Sequence, residues 1–575
     1  MHLFKALPNL SWQDVLNKIE APQNPYSTTA AAEHDKSKPI WSNSDLDPTP
    51  PTSRTWTWLH YTSFWLASSF ATGTWTTGSA MIALGMPWYA AWLAVVVSHA
   101  IGAALLVANG RGPAAYHIGF PVYARASFGM WGSYFAIVSR CVVAAIWYAV
   151  NAYYGSNFVS ICIRCIWPSW NDVPNHLPSN AGTTTQLLGA LAIFWALSMP
   201  FVFIHPKNLN WYFVAKSCMV GPACFAVLIW AVVLNGGSVG PSSFQTSPRL
   251  ADPSYYGWLW MSALNSGFGG CSALIVAQAD IARLARRPAD QTWSQLVTYP
   301  VFSALPALFG ILVASATSSF WGSEYWNLWD VLSAALDYYA MSPASRGLVF
   351  LASFAFAVAI LGTNVAANSL PFGSDVAGLL PRWISIRRGQ VLCSLLVFPI
   401  VPWKIISSAK SLLTFLSGYS ILMGPFASIC IVDYFFVRNG NLKIPDLYVG
   451  GPESRYWYSR GWNPRMVAAW LLGVALPFPG FVASFGTTAS VGAGANHMWN
   501  MGYLLSVFVS GAVYYVLFLV FPDPSIDKSL SFEQLASLYD GVIEGEEAPG
   551  LESVAADGIS RAEKGSVKAE ASVCK

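Results

Sequence analysis

Apolar stretches, each near the length that crosses a bilayer, alternate with polar connections along almost the whole chain. They fall at roughly 59–85, 88–108, 131–163, 187–205, 211–235, 257–285, 295–320, 347–371, 389–403, 408–437, 463–486 and 498–521. About twenty apolar residues in helical form span the hydrocarbon core. Lipid offers backbone groups no partners, so the pattern predicts an all-α polytopic membrane protein with about 12 transmembrane helices. The short alternating stretches of a barrel do not occur. Residues 1–55 read as a cytoplasmic N-terminal tail with no sign of a cleavable signal peptide. The tail ends in Asp47-Pro-Thr-Pro-Pro-Thr-Ser-Arg54, whose prolines keep it extended. Residues 56–522 form the transmembrane domain, and 523–575, polar and acidic, are expected to be a disordered cytoplasmic C-terminal tail.

Two of the stretches are interrupted. The first contains Ala71-Thr-Gly-Thr-Trp-Thr-Thr-Gly78 and the sixth Asn265-Ser-Gly-Phe-Gly-Gly-Cys-Ser272. Backbone freed by such residues is tolerated at membrane depth where it lines a cavity. Breaks in corresponding positions predict two inverted five-helix repeats, about 56–235 and about 255–437, with a site between them. Two further helices follow at about 463–521. The competing explanation for either stretch is close helix packing through small residues.

Composition agrees with a membrane chain: 54% of the 575 residues are hydrophobic and 10% charged, against about 25% charged in soluble domains. A net charge of +3 is too small to argue for nucleic acid. Among nine cysteines, Cys162 and Cys165 form a lone CxxC. No metal-ligand spacing or nucleophile motif stands out, so neither a metal, a cofactor nor an enzyme is expected. Basic residues such as Arg111, Arg125, Arg283, Arg388, Arg438 and Arg455 gather in alternate loops, which places those loops and both termini in the cytoplasm. Membrane lipid is therefore a partner. The tail lysines Lys564, Lys568 and Lys575 offer acceptors to ubiquitination machinery.

Candidate chemistry sits inside the spans. Trp147 and Asn151 lie four apart and share one helix face. An indole beside an amide suits a planar, hydrogen-bonding heterocycle, which a lipid-facing wall does not need. Lys216 lies inside the fifth stretch, and an intramembrane charge is a functional signal by default.

Several motifs occur in a fixed order: Trp41-Ser-Asn-Ser-Asp-Leu-Asp-Pro-Thr-Pro-Pro-Thr-Ser-Arg-Thr-Trp56, Asn109-Gly-Arg-Gly112, His117-Ile-Gly-Phe-Pro-Val122 with Arg125-Ala-Ser-Phe-Gly129, and Ile146-Trp-Tyr-Ala-Val-Asn151. Thr363-Asn-Val-Ala-Ala-Asn368-Ser, Ile386-Arg-Arg-Gly-Gln390 and Ser417-Gly-Tyr-Ser-Ile-Leu-Met-Gly-Pro425 with Asp433-Tyr434 follow. Over about 41–470 the chain resembles the nucleobase–cation symporter-1 family, in its fungal uracil/allantoin permease-like branch. The resemblance implies a 5+5 inverted-repeat, LeuT-like fold plus two C-terminal helices, in a multi-pass protein of the plasma membrane. It implies a secondary active transporter that imports uracil, allantoin or a related heterocycle by alternating access.

The resemblance also implies roles. Trp147 matches the family's stacking Trp, Asn151 a position where Gln is common, and Asn368 the substrate-contacting Asn. Gly270 and Cys271 fall at the segment expected to be broken, with backbone donors from Gly269 to Cys271; Cys271 stands where the bacterial hydantoin branch carries a second stacking Trp, and Phe268 is the candidate to compensate for that wall. Tyr419 and Met423 match an outer gate, and Asp280 with Arg283 an inner gate pair. Ala359, Gly362 and Thr363 stand where sodium-dependent relatives hold their ion, with Gly362 in place of a serine. One hard oxygen is thus missing, which favours H+ over Na+ as coupling ion, with Lys216 as candidate carrier. The alternatives are a nucleoside or vitamin carrier of the same family (uridine, thiamine, nicotinamide riboside) and a non-transporting nutrient sensor.

Overall fold

Every named secondary-structure element among the described residues is helical in the computed structural model, which describes residues 41–70, 72–204, 210–240, 252–323, 325–486, 491–527 and 529–543. Lys564, Lys568, Lys575 and most of the expected N-terminal tail lie outside the described residues. The elements begin with α1 (Trp58–Ser69), α2 (Thr72–Ala83), α3 (Trp88–Tyr116), α4 (Phe120–Phe128) and α5 (Gly132–Ile166). There follow α6 (Thr185–Phe203), α7 (Asn210–Leu234), α8 (Pro253–Ala282), α9 (Thr292–Trp321) and α10 (Leu328–Tyr338). Next come α11 (Pro343–Thr363), a π-helical turn (Asn364–Ser369), α12 (Leu370–Leu379), α13 (Ile386–Leu395) and α14 (Pro402–Ile405). The chain continues through α15 (Ala409–Val432), α16 (Pro464–Ala475), α17 (Phe478–Ser484), α18 (Ala493–Asn500), α19 (Gly502–Val520) and α20 (Gln534–Ile543).

Among the described residues nine helices are long and apolar enough to cross a membrane, and α16 with α17, bent by 46°, makes a tenth. The expected count of about 12 is reached only by adding two segments built of shorter pieces: α1 with α2, 12 residues each, and α13 with α14, of 10 and 4 residues. The seventh and eighth expected stretches differ from the first. The seventh, α9, carries Pro300 and Pro306 inside an unbroken helix, whereas the eighth runs through the π-helical turn within a 37-residue span, Pro343–Leu379.

The two expected breaks fare differently. The first segment is interrupted at Phe70, ahead of the Thr/Gly stretch, where the backbone leaves helical geometry (φ −73°, ψ 68°). The Thr/Gly stretch itself is helix, because its hydroxyls bond back one turn: Thr76 to the Thr72 carbonyl at 2.8 Å and Thr77 to that of Gly73 at 2.9 Å. The sixth segment is not broken. α8 runs unbroken through 265–272, so the backbone N–H groups of Gly269 to Cys271 are not left free by a break there. Close packing explains its glycines. A Cβ on Gly267 would sit 2.3 Å from the Ser98 hydroxyl of α3, and one on Gly269 2.5 Å from backbone of Leu416 on α15.

The described parts of both terminal segments pack against the helix bundle. Trp41 packs edge-on against Trp131 at 5.0 Å, Asn43 donates to the Pro381 carbonyl at 3.0 Å, and Arg283 donates to the Asp45 carbonyl at 2.9 Å. Arg125, buried in α4, donates to the carbonyls of Trp41 and Leu447 at 3.0 and 2.8 Å. The C-terminal segment, expected to be disordered from 523, is instead packed through 529–543. Glu533 takes two bonds from Arg111 (2.7 and 2.6 Å) and one from the Tyr434 hydroxyl (2.7 Å), and Phe532 stacks on Phe435 at 5.9 Å. Apolar surface on this segment supplies what a solvated tail would lack.

The glycine geometry yields a contrast. Gly269→Ala is expected to force α8 and α15 apart, at a cost of about 1–3 kcal/mol. Gly270→Ala meets nothing within 4 Å and should fold as the parent does. Detergent-solubilised fusions, compared for melting temperature and for monodispersity by size-exclusion chromatography, check the difference.

Candidate functional site

Helical periodicity brings one stripe of α5 to a cavity of about 120 Å³ inside the bundle: Arg140, Ala144, Trp147 and Asn151. From α8 it takes Gly270, Ala273, Leu274 and Ala277, the same spacing of three and four. Helix α3 contributes His99, and Tyr299 of α9 lies against it with ring centroids 5.5 Å apart. The segment around the π-helical turn contributes Thr363 and Asn368, and α15 contributes Tyr419.

Three of the expected substrate residues thus line one space. Trp147 is half-buried, its ring 5.9 Å from that of Phe415 and 6.3 Å from that of Tyr419 in an edge-on contact. Tyr419 closes over Gly269, donating its hydroxyl to that carbonyl. Asn151 is buried beside Trp147. Asn368 is oriented by a relay: its amide N–H donates to Asn364 Oδ1 at 2.8 Å, and Asn364 donates to the Tyr148 carbonyl at 3.0 Å. A carbonyl only accepts, so the relay fixes both amides and leaves Asn368 Oδ1 as an acceptor for the cavity.

Other expected site residues lie elsewhere. Gly270 faces open space in the cavity, but Cys271 does not line it: a Cβ on Gly102 of α3 would lie 2.9 Å from its sulfur. Phe268 stacks on Tyr503 of α19 at 4.6 Å and 21°, away from the cavity, and supplies no second aromatic wall. Met423 is fully buried and also off the lining. Asp280 does not pair with Arg283, which holds the Asp45 carbonyl instead. Its partner is Arg140 Nη1, at 2.8 Å.

That arginine is the residue sequence reasoning missed. Arg140 also binds Asp375 of α12 through Nε, at 3.0 and 2.8 Å to the two carboxylate oxygens, and through Nη2. Asp280 Oδ1 accepts from the Phe120 N–H and the Ser374 hydroxyl, both at 3.1 Å. The cluster ties α5, α8 and α12 together at the end of the cavity nearer the tails. Arg140 lies within the third apolar stretch, so it carries the same signal that singles out Lys216. His99, buried in the second stretch, carries a weaker form of it.

At the coupling position, Lys216 is fully buried and its ammonium donates to Thr363 Oγ1 at 2.7 Å. Thr363 in turn donates to the Ala359 carbonyl at 3.1 Å. A Cβ on Gly362 would stand 2.7 Å from the Tyr212 ring and 3.2 Å from Lys216 Cδ. The absent serine and the present lysine are therefore one packing arrangement: the missing side chain makes room for Tyr212 and the lysine stem.

A family model described as permease for cytosine/purines, uracil, thiamine, allantoin matches residues 48–506. An allantoin permease of Saccharomyces cerevisiae is 35% identical over 488 residues, covering 84% of this chain and 76% of the relative. A uracil permease of the same yeast is 34% identical over 488 residues, with the same coverage of 84% and 76%. Among solved structures, Mhp1, a nucleobase-cation-symport-1 family transporter in a closed conformation with bromovinylhydantoin bound, matches with a TM-score of 0.63 at 19% identity, covering 87% of this chain and 99% of Mhp1. At that identity the likeness shows the fold, and the all-helical 5+5 architecture expected from the resemblance is the one present. The matched proteins are permeases and not enzymes. By its sequence over 48–506, this multi-pass membrane protein belongs to the nucleobase–cation symporter family of cytosine/purine, uracil, thiamine and allantoin permeases.

Proposed function

We propose that the protein imports uracil, allantoin or a related flat heterocycle across the plasma membrane, driven by the proton gradient. The observation that carries this reading is the convergence of Trp147, Asn151 and Asn368 on one cavity inside the bundle. An indole face covers a planar ring with little loss of rotamer freedom, and carboxamides meet an amide-like ring edge with donor and acceptor together. Two of the relatives described above are named for allantoin and uracil, both of which have such edges. Basic loops share a face with both tails, which favours that face as the cytoplasmic one.

Alternating access needs a closure on each side of the site. On this reading the Arg140–Asp280–Asp375 cluster is the inner closure and Tyr419, over Gly269, the outer. For coupling, the Lys216 ammonium stands on the Thr363 hydroxyl at the end of α11, which a sodium ion would have to share with it, and like charges there repel. A buried ammonium that is neutralised by losing its proton and recharged by regaining one needs no such room.

Trp147→Ala should abolish saturable uptake while the protein still reaches the cell surface. Cells lacking their own permeases, given radiolabelled uracil, allantoin, uridine and thiamine with and without a protonophore, identify the substrate and test the coupling together. Unchanged KM for the true substrate in the Trp147 variant would overturn the site.

Lys216→Met should turn concentrative uptake into equilibrative exchange, without creating dependence on sodium. Vesicles with an imposed pH gradient provide the measurement: wild type accumulates substrate above the outside level and the variant does not. Accumulation by the variant equal to that of wild type would assign the proton to another group.

A further inference from the structure

We propose that His99 is a substrate-recognition residue that presents a fixed hydrogen-bond acceptor, Nε2, to a ring N–H of the transported heterocycle. The proposal rests on the substrate site described under the proposed function and adds a wall to it, from α3.

His99 is 4% exposed and lines the cavity that holds Trp147, Asn151 and Asn368. Its Nδ1 lies 2.9 Å from the Val95 carbonyl, one turn earlier in the same helix. A carbonyl has no proton to give, so Nδ1 carries a hydrogen; with the Arg140 guanidinium lining the same cavity and no carboxylate paired with the ring among the described residues, the buried imidazole is held in its neutral Nδ1–H tautomer. The Ser98 hydroxyl lies 3.3 Å from that same nitrogen. The opposite edge therefore carries a bare lone pair on Nε2. Among the described residues no donor is hydrogen-bonded to it. Nδ1 is turned back onto its own helix, and Tyr299 packs against the ring, so the edge left for the cavity is the one bearing Nε2.

An acceptor held in place, with no proton of its own, discriminates in one direction. It favours a ligand that offers an N–H and rejects one whose nitrogen is alkylated. Asn368 adds a second acceptor, because one N–H of its amide is spent on Asn364. The pair thus selects cyclic ureides, which carry two or more N–H donors, over rings with a single one. A site built to hydrogen-bond a polar ligand group rejects the analogue that lacks it, since its own buried polar atom is then left unpaired.

The test compares wild type, His99→Phe and His99→Gln. Each is assayed with radiolabelled uracil or allantoin, whichever wild type accumulates, and with the N-methylated derivatives of that compound as competitors. His99→Phe keeps a flat ring against Tyr299 and deletes the acceptor; His99→Gln restores one. The expected result is a KM for the parent compound raised about ten-fold in His99→Phe, the equivalent of one lost hydrogen bond. The inhibition constant of one N-methylated derivative should be the same in both proteins, and His99→Gln should regain most of the difference. A parent-to-methylated ratio in His99→Phe equal to that of wild type would overturn the proposal. Should His99→Phe fail to reach the surface, wild type decides alone: diethyl pyrocarbonate should modify His99, and saturating substrate should protect it, as read by mass spectrometry. An unreactive or unprotected His99 would count against the inference. Loss of uptake in Trp147→Ala together with an unaltered His99→Phe sinks only this proposal; unaltered uptake in Trp147→Ala sinks the site itself.

Discussion

A guanidinium buried among helices constrains much of this molecule. Arg140 is 2% exposed and meets Asp280 and Asp375, so three helices spread over 235 residues of sequence must arrive at one point. Desolvating such a group costs several kcal/mol, and removing one partner of a buried pair costs about 3–5 kcal/mol because the other is left uncompensated. The cluster holds two carboxylates against one cation. The excess negative charge is met at the start of α4, where the Phe120 N–H points at Asp280. Helix N-termini favour anions, and the ring of Phe120 also lies 4.1 Å from the Arg140 guanidinium carbon. The short helix α4 is thereby part of the ion cluster, and the N-terminal segment, whose Trp41 carbonyl accepts from Arg125 on the same helix, is drawn into the same assembly.

Small residues do the complementary work. Where charge pins the tail-side end, glycines let helices approach closely around the cavity. On α8 they divide by direction: Gly267 toward α3, Gly269 toward α15, Gly270 toward empty space. Close approach at Gly269 is what brings its carbonyl within reach of the Tyr419 hydroxyl. A wider spacing of α8 and α15 would leave that hydroxyl without this partner and move Tyr419 relative to Trp147.

Much of this was legible in the chain because the signals were local. Apolar length announces the spans, and the spacing of Trp147 and Asn151 announces a shared face. Asn368 was legible only through family resemblance. The misreadings arise where one local pattern has two physical outcomes. A Gly/Ser-rich stretch can open a helix or let it pack tightly, and at 265–272 it does the second; only the neighbours Ser98 and Leu416 decide, and they are distant in sequence. Likewise Phe268 and Cys271 neighbour Gly270 in the chain, but a rotation of about 100° per residue carries them onto other faces. Asp280 and Arg283 lie three apart and look paired, yet Asp280 has a stronger partner in Arg140, which no local spacing reveals.

The π-helical turn is the least predictable element and ties two parts of the site together. Thr363 and Asn368 are five residues apart. At 3.6 residues per turn they would point about 140° away from each other, and only one could face the cavity. Hydrogen bonds from i to i+5 widen the turn and bring both onto the same lining. Asn364, between them, bonds across to α5 and to Asn368, so the wide turn is held from outside as well as from within. Lys216 touches Thr363, and on the proposed reading Asn368 touches the substrate. The contact proposed to carry the proton and the contact proposed to hold the ligand then share a single turn of helix. Relaxing that turn to ordinary α register would separate them by about a third of a rotation, so neither contact can be altered in register without moving the other.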